Sequence, residues 1–174
     1  MPIDHTQIFQ PLRICVLTIS DSRTRNDDKS GRVLQDFLQA DGHHLADYQI
    51  IRDDKEKIIA ALQVAIADDA IDIIITTGGT GVTGRDVTPE ALDAVAEKHI
   101  LGFGELFRML SFAIIDTSCV QSRACAVVAG GTYIFALPGS PGACRDGWEK
   151  ILRTQLDIRH RPCASQPPST TSNR

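Results

Sequence analysis

Ile71-Asp72-Ile73-Ile74-Ile75-Thr76-Thr77-Gly78-Gly79-Thr80-Gly81-Val82-Thr83-Gly84-Arg85-Asp86 reads as a buried apolar strand that enters a glycine-rich turn and delivers a basic and an acidic side chain. Glycines let the backbone bend into conformations closed to other residues and let a ligand approach closely. Successive backbone N–H groups in such a turn can form a concavity for an anion. The Asp86 carboxylate does not suit direct contact with a phosphate, but it suits a metal ion bound to one. The stretch points to a nucleotide or another phosphorylated ligand. The plainer alternative is a tight strand-to-helix turn with no ligand.

Gly79, Gly81 and Gly84 spell G-x-G-x-x-G after a strand, the spacing of the dinucleotide-binding fingerprint. That fingerprint opens directly into a helix and belongs to the first strand of its unit. Here Arg85-Asp86-Val87 delays the helix and two strands precede the motif, so a nicotinamide-dependent dehydrogenase ranks last among the readings. No Gly-Lys-Ser/Thr follows the glycines, which excludes a Walker A loop.

Working outward, Arg13–Ser20 is a nearly continuous apolar run, as in a strand covered on both faces. The polar loop from Asp21 to Ser30 follows it. A helix is expected over about Gly31–Ala40, with Val33, Leu34, Phe37 and Leu38 on one face and Gly42 ending it. A strand near Leu45–Ile51 comes next, then a helix capped by Asp53 or Asp54 with Ile58, Ile59, Leu62, Ala65 and Ile66 at helical spacing. After the glycine turn, Thr88-Pro89-Glu90 starts another helix, threonine as cap and proline in first position.

Gly104–Ile115 forms a more apolar helix: Phe103, Phe107, Leu110 and Ile114 make one stripe, and Leu106, Met109 and Phe112 widen it. Such a helix needs cover on nearly all sides, and a subunit interface would supply it. Ala124–Ala129 and Thr132–Leu137 are strands around Gly130-Gly131, and a last helix follows Pro138-Gly139-Ser140-Pro141 through about Leu156. This alternation implies a three-layer α/β/α sandwich around a mostly parallel sheet. The expected division is an extension over 1–11, one domain over 12–161, and a Ser/Thr/Pro-rich tail over 162–174.

The 174 residues suit one domain, and 43% hydrophobic and 23% charged residues are ordinary for a globular chain. A net charge of −4 argues against a general nucleic-acid binder. Five cysteines without a C-x-x-C pair argue against zinc or a disulfide framework. With no signal pattern, and no apolar run near the ~20 residues of a membrane span, a cytoplasmic protein is expected.

Three loops can converge at the carboxyl edge of the sheet, where open α/β folds bind ligands: Ser20–Ser30, Gly78–Asp86 and Pro138–Gly142. Ser140 before Pro141 is a ready cap whose helix end could also serve an anion. Asp54 and Asp86 are the candidate acids, since a magnesium–nucleotide site uses one or two carboxylates plus phosphate oxygens; Asp54 could also merely cap its helix. His43-His44 reads as an exposed turn, with His5, His99 and His160 isolated. Arg108 lies three residues from both Glu105 and Ser111, so the three share a helix face, either as a solvated ion pair or as a substrate surface.

With T-I-S-D-S-R at Thr18–Arg23, T-T-G-G-T-G at Thr76–Gly81, R-D-V-T-P-E at Arg85–Glu90 and L-P-G-S-P at Leu137–Pro141, the chain resembles the MoaB/Mog family of molybdenum cofactor biosynthesis proteins. The resemblance covers about Leu12 to Cys163, and Gly102–Ser111 points to the B branch. It implies a homotrimer or a hexamer, and adenylylation of molybdopterin with Mg-ATP. It assigns Asp54 and Asp86 to Mg2+ through ATP. By motif position, Thr80, Ser111 and Ser122 would hold the pterin and its phosphate, and Gly78, Gly79 and Gly81 would cradle the ligand. Ser20, Asp21, Pro138, Gly139 and Ser140 fall in the other two loops of the same site. A molybdenum-insertion protein is an implied partner. Many catalytic members carry asparagine immediately before Leu-Pro-Gly, where this chain has Ala136. That departure favours a rival reading, a non-catalytic scaffold that binds pterin or nucleotide.

Overall fold

The computed structural model describes residues 3–160. Strands β1 (Arg13–Ile19), β2 (His44–Ile51), β3 (Ile73–Thr77), β4 (Lys98–His99), β5 (Cys125–Ala129) and β6 (Thr132–Leu137) form one sheet in the order β2-β1-β3-β6-β5-β4. The pairs β2-β1, β1-β3 and β3-β6 are parallel, while β5 runs antiparallel to both its neighbours. The β5–β6 hairpin turns at Gly130 and Gly131, both with positive φ. The two-residue edge strand β4 has no signature in the sequence; it exists because β5 offers it a ladder.

Helices α1 (Lys29–Ala40), α4 (Leu101–Ile115) and α5 (Pro141–Gly147) cover one face of this sheet, and α2 (Lys55–Ala67) and α3 (Thr88–Val95) cover the other. The alternation of strand side chains explains the split. Ile14 and Val16 of β1 join Ile73 and Ile75 of β3 beneath Leu34, Phe103 and Trp148. Cys15, Leu17 and Ile19 join Ile74 beneath Ile58, Leu62 and Leu92. Both faces of the central strands are buried, hence their continuous apolar runs. The expected three-layer sandwich is the observed one.

Several local readings need correction. α1 starts at Lys29 rather than Gly31, because the buried Asp28 caps it by accepting from the Gly31 N–H. Thr88 does not cap α3; its hydroxyl donates to the Gly78 carbonyl at 2.9 Å and anchors the glycine turn instead. α4 begins at Leu101, three residues early. Gly104 sits inside it where a side chain would strike the Ala124 carbonyl. His43 is buried, not exposed: its Nδ1 accepts from the Leu12 N–H at 3.1 Å, and its ring meets those of Phe9 and Trp148. Burial holds its imidazole below the ordinary value. His99 faces Asp93 at 3.7 Å and His160 faces Asp157 at 3.8 Å, so neither is isolated.

The last helix is not regular through Leu156. A π-helical turn at Trp148–Leu152 separates α5 from the short α6 (Arg153–Gln155). Buried Trp148 donates its indole N–H to Asp41 at 2.6 Å, and Arg153 donates to the same oxygen at 2.8 Å. Inserting one residue into the turn lets both reach one carboxylate. Residues 162–174, expected to form the tail, lie outside the described residues. No helix among the described residues is long and apolar enough to cross a membrane.

Candidate functional site

The loops after β1, β3 and β6 meet at the carboxyl edge of the sheet, as their strand order requires. Gly78 (φ 108°) and Gly79 (φ 63°) take the left-handed conformations that the sequence reserves for glycine. A side chain on Gly78 would collide with the Ile19 carbonyl of β1, and one on Gly139 would stand 3.1 Å from the Gly78 Cα. Close backbone packing of all three loops is therefore possible only without Cβ atoms at these two positions. The Gly78 N–H donates to the Leu137 carbonyl at 3.0 Å, and the Thr77 hydroxyl donates to that of Pro138 at 3.1 Å.

Two arginines that sequence reasoning passed over hold the loops. Arg23 donates to the Gly139 carbonyl at 2.8 Å, to the Ser30 hydroxyl at 2.8 Å and to Asp28 at 3.2 Å. Asp28 in turn accepts from the Thr18 and Tyr48 hydroxyls. These hydrogen bonds and Arg23 hold its carboxyl below the ordinary range against the opposing effect of burial. Arg123 donates to the carbonyls of Gly81 at 2.6 Å and Asp86 at 2.5 Å, and pairs with Glu90. It staples the glycine turn to α3. The contacts of Arg23 with Gly139 and of Arg123 with Gly81, Asp86 and Glu90 join residues distant in sequence, and no local pattern could have revealed them.

A cleft of about 600 Å³ opens where the loops meet. That size suits an organic ligand rather than a lone ion. Ser20, Gly78, Gly79, Thr80, Gly81 and Asp86 line it from two loops; Pro138, Gly139 and Ser140 line it from the third. Ser111 of α4 and Ser122, which follows the 3₁₀ turn Asp116–Gln121, complete the polar wall. Eleven of the thirteen residues expected in the site are thus cleft residues. Phe107, Ile114, Ile115 and Cys119 supply an apolar wall. Ile114, expected under α4, is exposed instead, since α4 buries only Phe103, Gly104, Phe107 and Ser111. Arg108 neither pairs with Glu105 nor lines the cleft. It donates to the Ser122 and Ala124 carbonyls at 3.4 and 3.3 Å and holds the 3₁₀ turn against β5.

The acids divide. Asp86 accepts from the Thr83 hydroxyl at 2.6 Å and the Thr83 N–H at 2.8 Å, and the Thr83 hydroxyl above all holds its carboxyl below the ordinary value. Asp54 caps α2 through the Glu56 and Lys57 N–H groups and meets the Lys57 ammonium at 3.5 Å; it is not a wall of the cleft. Its neighbour Asp53 turns toward the glycines: a side chain on Gly79 would come within 2.9 Å of its Oδ1. Burial first, then the charges of Asp21 and Asp86, raise the Asp53 carboxyl above its ordinary value, with Arg85 opposing. Asp21 sits at the rim, 3.5 Å from Arg85. Asp54 thus caps the helix, while Asp53 lies near Asp21 and Asp86.

Among the described residues no group of three or more His, Cys, Asp or Glu side chains is arranged to hold a metal ion by itself. A magnesium ion that arrives on a nucleotide needs only one or two protein carboxylates, and Asp86 on the cleft wall is the one placed to meet it. The described cysteines Cys15, Cys119, Cys125 and Cys144 are free thiols. Burial pushes Cys15 up to about 12 and Cys144 up to about 11, so both are packing residues rather than nucleophiles. The dehydrogenase reading fails on Gly84, around which a side chain would meet nothing, and on α3, which begins only at Thr88. The third glycine of that fingerprint should pack strand against helix.

Residues 15–158 match the family described as a probable molybdopterin binding domain. The chain belongs to the MoaB/Mog family of molybdenum cofactor biosynthesis proteins. It is 48% identical over 159 residues to molybdenum cofactor biosynthesis protein B of Escherichia coli, covering 91% of this chain and 94% of that protein. The Bacillus cereus protein of the same name is 43% identical over 151 residues, 86% of this chain and 89% of the relative. Among solved MoaB structures, one of molybdenum cofactor biosynthesis protein B superposes with a TM-score of 0.84 at 42% identity, covering 86% of this chain and 94% of that one. The tungsten cofactor synthesizing MoaB from Pyrococcus furiosus gives 0.75 at 35% identity, over 84% and 93% of the two chains. Membership in the MoaB/Mog family agrees with the cleft, because the four motifs that carry the resemblance all contribute to its walls or its supports.

Proposed function

We propose that the chain acts in molybdenum cofactor biosynthesis by binding molybdopterin in this cleft and adenylylating it with Mg-ATP. The observation that carries the reading is Asp86, held ionised on the glycine turn, at the wall of a cleft whose far side is Ser111, Ser122 and the apolar Phe107 and Ile114. One end suits phosphates and a cation; the other suits a flat heterocycle. A phosphate oxygen of molybdopterin would attack the α-phosphorus of ATP, and the bond to the β-phosphate would break to release pyrophosphate. Magnesium bound to the nucleotide supplies charge neutralisation at the phosphates. The protein needs no covalent nucleophile. Asp86, with Asp53 beside the glycine turn, would hold the magnesium of the nucleotide, Gly78–Gly81 bring backbone close to the phosphates, and Thr80, Ser111 and Ser122 position the pterin and its phosphate.

The scaffold reading drew on Ala136. That residue is fully buried in the sheet beside Thr76 and under the α2–α3 face, and it is not a cleft residue. Alanine here lines no part of the cleft, and the asparagine contact it lacks is what supports the scaffold reading. Purified protein incubated with molybdopterin and Mg-ATP should yield the adenylylated pterin by mass spectrometry. Tight pterin binding with no such product would favour the scaffold.

A further inference from the structure

Two helices face each other across the cleft. α4 contributes Phe107, Ser111, Ile114 and Ile115; α5 contributes Gly142, Ala143 and Asp146. The spacing of the latter three places them on one face of α5. Gly142 and Ala143 leave room for a flat ring against the helix, and Asp146 is the charged group beyond them. The other charged walls are already committed: Arg23 to Asp28, Ser30 and Gly139, and Asp86 to Thr83. Asp146 is half-buried, and its Oδ1 meets the Lys150 ammonium at 2.8 Å. Such a surface i,i+4 pair is weak. A carboxylate has two oxygens and about four lone-pair sites, so the pair leaves it acceptor capacity.

We propose that Asp146 reads the donor edge of the ligand's heterocycle, the adjacent ring N–H and exocyclic amino group of a 2-amino-4-oxopteridine. That edge presents two parallel N–H donors, and a carboxylate accepts them side by side as it accepts an arginine fork. A ring with a carbonyl in place of the amino group sets acceptor against carboxylate and is rejected. Asp146 is thus a specificity-determining residue, and its assignment rests on the reading of the cleft as a pterin site.

The test is ligand-observed NMR with pterin and with lumazine, its 2,4-dioxo analogue, at a pH where both are neutral. The wild-type protein binds pterin about tenfold or more tightly than lumazine, the scale of a hydrogen bond to a charged group. Asp146→Asn brings the two within about threefold of each other, because an amide offers one acceptor and one donor. Lys150→Met keeps the preference, since it removes the weak partner and leaves the carboxylate. Asp146→Ser replaces Asp146→Asn if the latter changes the thermal midpoint or the assembly mass. A variant at 146 that retains the full preference overturns the role of Asp146 and leaves the pterin reading standing. Equal binding of both probes by the wild type also overturns it. Failure of the wild type to bind either probe overturns both.

Discussion

The Arg23 guanidinium donates to the Gly139 carbonyl at 2.8 Å, joining positions 116 residues apart in the chain. Through Asp28, the same side chain is tied to Thr18 of β1, to Tyr48 of β2 and to the start of α1. One polar strut therefore fixes the third loop of the cleft to the first. Arg23→Met should cost about 1–3 kcal/mol of stability, because Asp28 loses a charged partner. It should also weaken ligand binding by about tenfold, as displacing a loop that positions substrate does. Denaturant titration and ligand binding measured together check both. Unchanged affinity would make the strut purely structural.

The acids give opposite pH signatures. The Asp28 carboxyl is depressed in the fold, so its contribution to stability is present above the ordinary aspartate value of about 3.9 and is lost as pH falls through the folded value. The Asp53 carboxyl is raised, so its ionised form costs stability above that raised value, and the cost fades as pH falls through it. Asp53→Asn should accordingly leave stability equal or higher at neutral pH while lowering turnover. Thermal melts at neutral and acidic pH beside rate measurements would show it. A destabilised but fully active Asp53→Asn would remove Asp53 from the site.

Asp86→Asn should lower adenylylation by about two orders of magnitude or more, the scale of losing a key electrostatic group, with pterin binding largely retained. Asp54→Asn should behave as a cap substitution, changing stability by a few tenths of a kcal/mol because asparagine caps nearly as well as aspartate. Turnover close to wild type for Asp54→Asn, and a strong loss for Asp53→Asn, would assign the second acid. The reverse pattern would restore Asp54 to that role.

Neighbouring threonines on β3 make a matched pair. Both are fully buried; the Thr76 hydroxyl has no hydrogen-bond partner among the described residues, and the Thr77 hydroxyl serves Pro138 and Cys144. Thr76→Val should be neutral or stabilising by about 1 kcal/mol, since it removes an unsatisfied group at constant shape. Thr77→Val should cost about 1 kcal/mol, the net worth of one hydrogen bond, since the half-buried Pro138 carbonyl keeps the Cys144 thiol as a donor at 3.7 Å. Equilibrium unfolding of the two variants decides, and an equal effect in both would show that the Thr76 hydroxyl is satisfied in solution.

Much of this site was legible because it is local. The strand running into glycines, the Ser140 cap and the position of Asp86 are written in neighbouring residues. The choice between Asp53 and Asp54 was not, because both suit a helix start and only packing against Gly79 separates them. Arg23, Arg123 and His43 escaped for the same reason: their partners come from other strands and loops. The apolar circumference of α4 was visible, but which of its sides meets the sheet was not. Ile114 and Ser111 exchanged the burial their residue types suggest.

The outer face of α4 carries a prediction about assembly. Met109 is 64% exposed, Phe112 56% and Leu106 37%, large apolar side chains of the kind that marks an interaction site. Family resemblance names a trimer or a dimer of trimers as the cover. Light scattering should give a mass of three or six subunits that holds on dilution, and Met109→Glu with Phe112→Glu should reduce it. A clean monomer in the unmodified chain would contradict the assignment.

The central claim is transfer of an adenylyl group inside the cleft. The direct measurement supplies molybdopterin and magnesium with ATP radiolabelled at either the α- or the γ-phosphate, and follows both labels. Label from the α-position should appear on the pterin, label from the γ-position should leave as pyrophosphate, and Asp86→Asn should suppress both. Saturating pterin binding by the wild-type protein with the α-label remaining wholly in ATP would contradict the account.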